Sequence, residues 1–168
     1  MLFRSFLRVI AGVRKVEPRV HGVIVGDGQL RSRLEALAKE MGLADNVSFL
    51  GERNDARRLM AGFDVFLLTS TIEGFPNVLL EAAFLAVPSV ASHVGGAADV
   101  LPNPSDLFEL GDIGGATRRV LALLGDRALG AAGGELARQR AFARFTADQT
   151  AKRWFALYDR STNRGDGQ

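Results

Sequence analysis

A three-layer α/β domain built on a parallel sheet is the fold class this sequence predicts, and three observations predict it. Short apolar runs, "VHGVIV", "NVSFL", "DVFLL" and "PSVAS", alternate along the chain with segments of helical periodicity. Glycine-containing or polar turns separate the first three runs from the helices that follow, at Gly26-Asp27-Gly28, "GERND" and "TSTIEGFPN". The 168 residues, 47% of them hydrophobic, supply one well-packed domain and leave little for a second. Strands and helices in this alternation form parallel sheets, because right-handed crossovers lay each helix over a face of the sheet.

The elements follow in order. Phe3, Phe6, Leu7, Ile10 and Val13 recur at three- and four-residue steps, so an amphipathic helix opens the chain and Pro18 ends it. "VHGVIV" is a buried strand, and Gly26-Asp27-Gly28 turns into a second helix, "QLRSRLEALAKEMG", closed by Gly42. The alternation repeats as strand "NVSFL", helix "NDARRLMAGF", strand "DVFLL", helix "NVLLEAAFLA" and strand "PSVAS". After "HVGGAADVLP", a short apolar "LFEL" leads to helical signals in "IGGATRRVLALLGD", "ALGAAGGELARQRAF" and "TADQTAKRWFALYDR". The last places Trp154, Phe155, Leu157 and Tyr158 along one side; it suits docking on this domain or a neighbour, with plain core packing the expectation. The pattern predicts a Rossmann-like domain over 1–160 and a disordered tail, "STNRGDGQ", over 161–168.

Composition excludes several functions. Lys plus Arg total 21 against 19 Asp plus Glu, so the net charge is +2 and the chain is not a polybasic nucleic-acid binder. Without cysteine there is no disulfide frame, thiolate nucleophile or zinc-cysteine cluster, which fits a reducing cytoplasm. His21 and His93 are far apart in sequence, so no metal site is expected. Arg4, Arg8 and Arg14 interrupt the N-terminal apolar residues, which argues against a signal peptide, and no stretch nears the ~20 apolar residues of a membrane span.

Ligands of doubly wound sheets bind beyond the carboxyl ends of the strands. Of the three loops there, Gly26-Asp27-Gly28 is weak evidence alone, since tight-turn geometry explains a Gly-x-Gly as well as a ligand does. "TSTIEGFPN" is stronger. Pro76 suits a first helical position, Gly74 lets backbone approach a ligand, and the amides around Phe75, Asn77 and Val78 fall at a helix N-terminus, an anion site suited to a diphosphate. Glu81 follows Pro76 by about 7.5 Å of helix rise and leans back toward that terminus. A carboxylate there can accept hydrogen bonds from a vicinal diol such as ribose, with Glu73 facing the other end of the ligand. The alternative is that Glu81 reaches solvent and Glu73 merely precedes a turn.

The stretch "VIVGDGQLRSRLEALAKEMGLADNVSFLGERNDARRLMAGFDVFLLTSTIEGFPNVLLEAAFLAVPSVASHVGG" resembles the C-terminal, donor-binding domain of the group 1 glycosyltransferases, the retaining enzymes of glycosyltransferase family 4 with the two-domain GT-B fold. Glu73 and Glu81, seven residues between them, stand in register with the Gly-Asp-Gly turn, the "FLG" strand end and the "VGG" turn. The resemblance implies a nucleotide-diphosphate sugar as donor. Glu73 then takes the catalytic role, contacting the transferred sugar or supporting the reacting centre. The amides of Gly74, Phe75, Asn77 and Val78 hold the diphosphate, Glu81 binds the ribose, and Gly51 to Arg53 meet the base, with Gly26 and Gly28 near the nucleotide. It also implies no divalent metal and no cofactor, and front-face displacement in which the leaving phosphate helps deprotonate the acceptor.

Two departures accompany the match. The family draws an Arg and a Lys for the diphosphate from a loop ahead of the first helix, and an N-terminal domain that binds the acceptor; the resemblance implies that this chain is half of an enzyme, partnered by that domain as part of a longer chain or as a separate subunit. Ala97-Ala98-Asp99 replaces the usual Pro-Glu after "GG". The complete enzyme is expected in the cytoplasm, with peripheral attachment at the inner face of the membrane. The alternatives are a nucleotide-sugar epimerase of the same fold and a non-catalytic nucleotide-sugar-binding module. A phosphoacceptor receiver is disfavoured because Asp64 precedes its strand.

Overall fold

The computed structural model describes residues 2–162. Its elements run α1 (Leu2–Arg14), β1 (Gly22–Ile24), α2 (Arg31–Glu40), β2 (Val47–Phe49), α3 (Ala56–Met60), β3 (Phe66–Leu68), α4 (Asn77–Phe84), β4 (Ser89–Ser92), α5 (Ala97–Val100), β5 (Leu107–Phe108), α6 (Ile113–Gly125), α7 (Arg127–Arg144) and α8 (Ala147–Thr162). All strand pairs are parallel, with Gly22 opposite Val47, Phe66 opposite Ser89, and Ala91 opposite Leu107. The strands form two sheets, β1-β2 and β3-β4-β5, with no ladder between β1 and β3.

Side-chain alternation explains the layers. On β4, Val90 packs with Val9, Val13, Ala116 and Val120, so α1 and α6 cover that face. Its neighbour Ala91 packs with Leu79, Ala83, Ala137 and Ala141 of α4 and α7 on the other face, as the two-residue period of a strand requires. The apolar stripe of α1 divides between two partners: Leu7 and Ile10 meet α2 and the β1-β2 pair, while Val9 and Val13 meet α6. Gly22 makes the first contact possible, since a Cβ there would lie 3.1 Å from Phe6 and Ile10.

Local chemistry sets the helix ends. Asp126 accepts from the N–H groups of Ala128 and Leu129 at 2.9 and 3.0 Å, and this N-cap divides α6 from α7. In α7, Gly134 faces the loop after α4, where a Cβ would overlap the Ala86 carbonyl oxygen. Asp106, 6% exposed, pairs with Arg119 of α6, 15% exposed, the Nε–H donating at 2.7 Å. Burial pushes the Asp106 carboxyl above its usual value, and the Arg119 guanidinium pulls the other way.

The C-terminal helix departs from expectation. Trp154, Phe155, Leu157 and Tyr158 are 57% to 70% exposed, so they do not pack in the core. The reason is geometric: α8 leaves the domain from the end of α7 and meets only that helix closely, so its apolar side has no layer beneath it. The helix continues through Thr162, inside the segment expected as a tail, and 163–168 lie outside the described residues. Among the described residues, no helix is long and apolar enough to cross a membrane, and no cluster of acidic or histidine side chains is placed to hold a metal ion.

Candidate functional site

Within each sheet the parallel strands point their carboxyl ends the same way, and the loops after β1 and β2 meet there through the Gly26–Gly51 bridge. At the end of β3, Ser70 is fully buried and its carbonyl accepts from the Ser92 hydroxyl of β4 at 2.6 Å. The Ser70 hydroxyl donates to Glu73 Oε1 at 2.7 Å and so orients that carboxylate. Ser70 escaped the sequence reading; the signal available was a hydroxyl three residues before the glutamate, at a strand end.

The backbone of Glu73 and Gly74 rests on the Gly95-Gly96 turn. The Gly96 N–H donates to the Gly74 carbonyl at 3.2 Å, Gly95 has φ +49°, and a Cβ at Gly95 would overlap the Glu73 carbonyl oxygen. Gly96 is held as closely, since its Cβ would stand 2.6 Å from the Phe75 ring. Phe75 turns that ring inward against Phe145, centroids 5.2 Å apart, so only its backbone can serve a ligand. Gly95→Ala should therefore lower stability by roughly 2–4 kcal/mol, combining left-handed strain with overpacking, and should displace Glu73. Denaturant unfolding checks this, and a variant as stable as the parent would show that the close seat is not required.

Pro76 is the N-cap residue of α4, one position earlier than expected, and is buried; the helix starts at Asn77. Its carbonyl accepts from Leu79 and Leu80 N–H, so the amides of Asn77 and Val78 precede the first intrahelical bonds, and both residues are exposed. Nothing lies within 4 Å of the position a Cβ on Gly74 would take. The turn thus presents backbone N–H groups and the positive end of a helix dipole to open space.

Glu81 lies one turn into α4 and is 36% exposed; Arg57 Nη2 of α3 donates to its Oε1 at 2.9 Å. The hydrogen bond to Glu81 also raises the Arg57 pKa. This pair explains how a carboxylate persists in an otherwise apolar helix. No local pattern in the sequence pairs Arg57 with Glu81, twenty-four positions later.

The other sequence-derived positions lie on the loops after β1 and β2. Gly26 and Gly51 bridge directly, Gly26 N–H to Gly51 carbonyl at 2.7 Å, with φ +118° and +67°, which tethers the loop after β1 to the loop after β2. Gly28 N–H donates to Asp27 Oδ1 at 2.7 Å; this bond, with Arg31 behind it, holds Asp27 below the usual carboxylate range. Arg53 grips Asp55 through two 2.8 Å hydrogen bonds, so its guanidinium is already engaged. A cleft of about 1290 Å³ is lined by Val25, Ala56, Thr69, Glu73, Val78 and Glu81 among others; Gly26, Gly28, Gly51 and Arg53 are not part of that lining. His21 and His93 make ordinary exposed contacts, with Ser48 at 2.8 Å and Glu109 at 3.1 Å.

The family model described as "Glycosyl transferases group 1" matches residues 3–126. The chain belongs to this family. Relatives of this group 1 chain include the N-acetyl-alpha-D-glucosaminyl L-malate synthase of Bacillus anthracis, 33% identical over 138 residues, covering 81% of this chain and 36% of that protein. The lipopolysaccharide core biosynthesis glycosyltransferase LpsD of Rhizobium meliloti is 31% identical over 163 residues, 94% of this chain and 46% of that one. Among solved structures, Anabaena Alr3699/HepE in complex with UDP superposes with a TM-score of 0.81 at 27% identity, over 92% of this chain and 44% of its own. The group 1 chain thus spans less than half the length of these relatives.

Proposed function

We propose that the chain is the donor-binding half of a retaining glycosyltransferase and recognises a nucleotide-diphosphate sugar, with UDP the first nucleotide to test. The observation that carries this reading is the segment 73–81: an open Gly74, exposed residues at the start of α4, and two carboxylates held by Ser70 and Arg57. Diphosphate oxygens accept from the amides of Gly74, Phe75, Asn77 and Val78, where the helix dipole favours negative charge. Glu81 accepts from ribose hydroxyls while Arg57 steadies its carboxylate. Glu73 stands beside the transferred sugar, and the loops joined at Gly26 and Gly51, with Arg53, border the base. The solved HepE complex with UDP supports the choice of nucleotide. An N-terminal half that binds the acceptor completes the enzyme, either in the same polypeptide or as a partner, and acts in the cytoplasm on glycan synthesis at the membrane face.

Calorimetric titration with UDP tests the site. Glu81→Gln should weaken binding by ~1–3 kcal/mol with the fold intact, the usual result of mismatching a hydrogen-bonded polar group; unchanged affinity would sink the ribose assignment. Gly74→Val should obstruct phosphate approach, lowering affinity for UDP at least tenfold, or about 1.4 kcal/mol, while leaving the weaker binding of uridine nearly unchanged. Equal losses for both ligands would place the diphosphate elsewhere.

A further inference from the structure

Helix α2 opens on a cation. Arg31 is its first residue, where the positive end of the helix dipole disfavours a guanidinium; the first turn holds no acidic residue and no side chain caps it. What holds Arg31 in place is a set of acceptors from three elements. Its Nε–H donates to Glu35 one turn along α2 at 2.8 Å, Nη1 to Asp27 Oδ2 in the loop after β1 at 3.1 Å, and Nη2 to the Phe49 carbonyl of β2 at 3.0 Å. Every nitrogen of the guanidinium is engaged. The Phe49 carbonyl is open to it for a reason of strand geometry: Asn46 accepts from Gly22 and Leu50 donates to Ile24, so Phe49, out of step with both, turns its backbone away from β1. Among the described residues no strand lies beyond β2, and Arg31 covers that edge.

The loops after β1 and β2 are built around this guanidinium. Asp27 is held through both oxygens, by the Gly28 N–H on Oδ1 and by Arg31 on Oδ2. Gly51 rests against the pair, since a Cβ there would stand 3.0 Å from Arg31 Nη1 and 3.7 Å from Asp27 Oδ2. The Gly26 N–H donates to the Gly51 carbonyl directly above, and Arg31 ties Asp27 on one loop to Phe49 at the root of the other. We propose that Arg31 is the positioning residue of the nucleobase side of the site, setting residues 26–28 against 51–53 and so determining which base the two loops accept. The inference rests on the reading above in which those loops border the base. Arg31 itself touches no ligand, because its donors are all taken within the protein. It acts by fixing backbone groups to the few tenths of an ångström that recognition requires, a task for a planar three-way fork and not for the single ammonium of a lysine.

The test titrates the chain and its Arg31→Met and Arg31→Lys variants with UDP, uridine, ADP and inorganic pyrophosphate, and follows amide hydrogen exchange at Gly26. In Arg31→Met the Gly26 amide should exchange about tenfold faster, while Leu68 of β3 keeps the protection it has in the parent. Affinity for UDP and for uridine should fall by the same factor, about tenfold, with pyrophosphate unchanged and the preference for UDP over ADP reduced to match. Arg31→Lys should recover little of this, although it keeps the charge. Should Arg31→Met fail to fold, Asp27→Ala removes the contact to the first loop alone and should give the same pattern at smaller amplitude. Losses for UDP and pyrophosphate that spare uridine and are rescued by lysine would overturn the proposal, since Arg31 would then act through its charge on the diphosphate. Faster Gly26 exchange with every affinity unchanged, or unchanged Gly26 exchange in Arg31→Met, would overturn it too. A parent chain that binds none of the four ligands removes the nucleotide reading and this inference together; a parent that selects UDP, with variants that select it equally, removes the inference alone.

Discussion

Sugar transfer by residues 1–168 alone should fall several orders of magnitude below transfer by the same chain supplied with a matching N-terminal half. Holding donor and acceptor in reacting geometry accounts for about 7–11 kcal/mol of barrier lowering, and a single half of a cleft cannot hold both. Excluding water from the reacting centre requires the second wall as well. Charge stabilisation on the departing diphosphate is incomplete for a further reason. Three basic side chains of α2, α3 and the loop after β2 are already engaged, Arg57 with Glu81, Arg53 with Asp55 and Arg31 with Asp27 and Glu35. Restored transfer should then depend on Glu73: Glu73→Gln in the completed enzyme should cut kcat by at least ~100-fold, comparable to removal of one group that stabilises a transition state. UDP affinity should change little, because the proposed reading sets Glu73 beside the sugar and not the nucleotide. Radiolabelled sugar transfer with and without the added half measures both effects. Robust transfer by the isolated chain that the added half does not improve would overturn the half-site reading.

The buried pair of Asp106 and Arg119 should show the largest stability effect of a single substitution. Asp106→Leu leaves the Arg119 guanidinium, 15% exposed, beside an apolar side chain, and removing one member of a buried pair destabilises by ~3–5 kcal/mol. The partner substitution is the informative one. Replacing both residues, as Asp106→Leu with Arg119→Met, should recover most of that loss, since the remaining contacts are apolar and no charge stays uncompensated. Urea unfolding of the two single variants and the double variant gives the coupling directly. A double variant as unstable as Asp106→Leu would mean that the pair also orders the backbone ahead of β5. Nothing in the sequence singles out this pair: Asp106 and Arg119 are thirteen positions apart, and the two meet only because α6 returns over β5.

The helical periodicity of α1 and the apolar runs of β1 to β4 were readable because their periods, 3.6 and 2, are local properties of the chain. The same holds for the turn at 73–78, where Gly74 and Pro76 mark a helix start, Glu73 stands in the loop before it and Glu81 one turn into it. Three features emerged only from the structure. Arg57 lies twenty-four residues before Glu81, and only the packing of α3 beside α4 makes it the partner that satisfies that carboxylate. Ser70 became significant once β3 placed its hydroxyl under Glu73. The aromatic side of α8 has the periodicity of a buried helix yet lies exposed, because periodicity identifies an apolar face but not whether a layer exists to cover it.

By itself, then, the sequence determined the alternation of elements, the family resemblance and the glycine-proline turn into α4, all of which depend on residues within a few positions of one another. Tertiary structure alone decided that the sheet divides between β1 and β3, that Gly95 and Gly96 form the seat for Glu73 and Phe75, and that the Gly26 and Gly51 loops join. Strand order and close backbone approach are relations between segments distant in sequence; they are set by which faces pack and by the hand of each crossover, and no local pattern of residues encodes them.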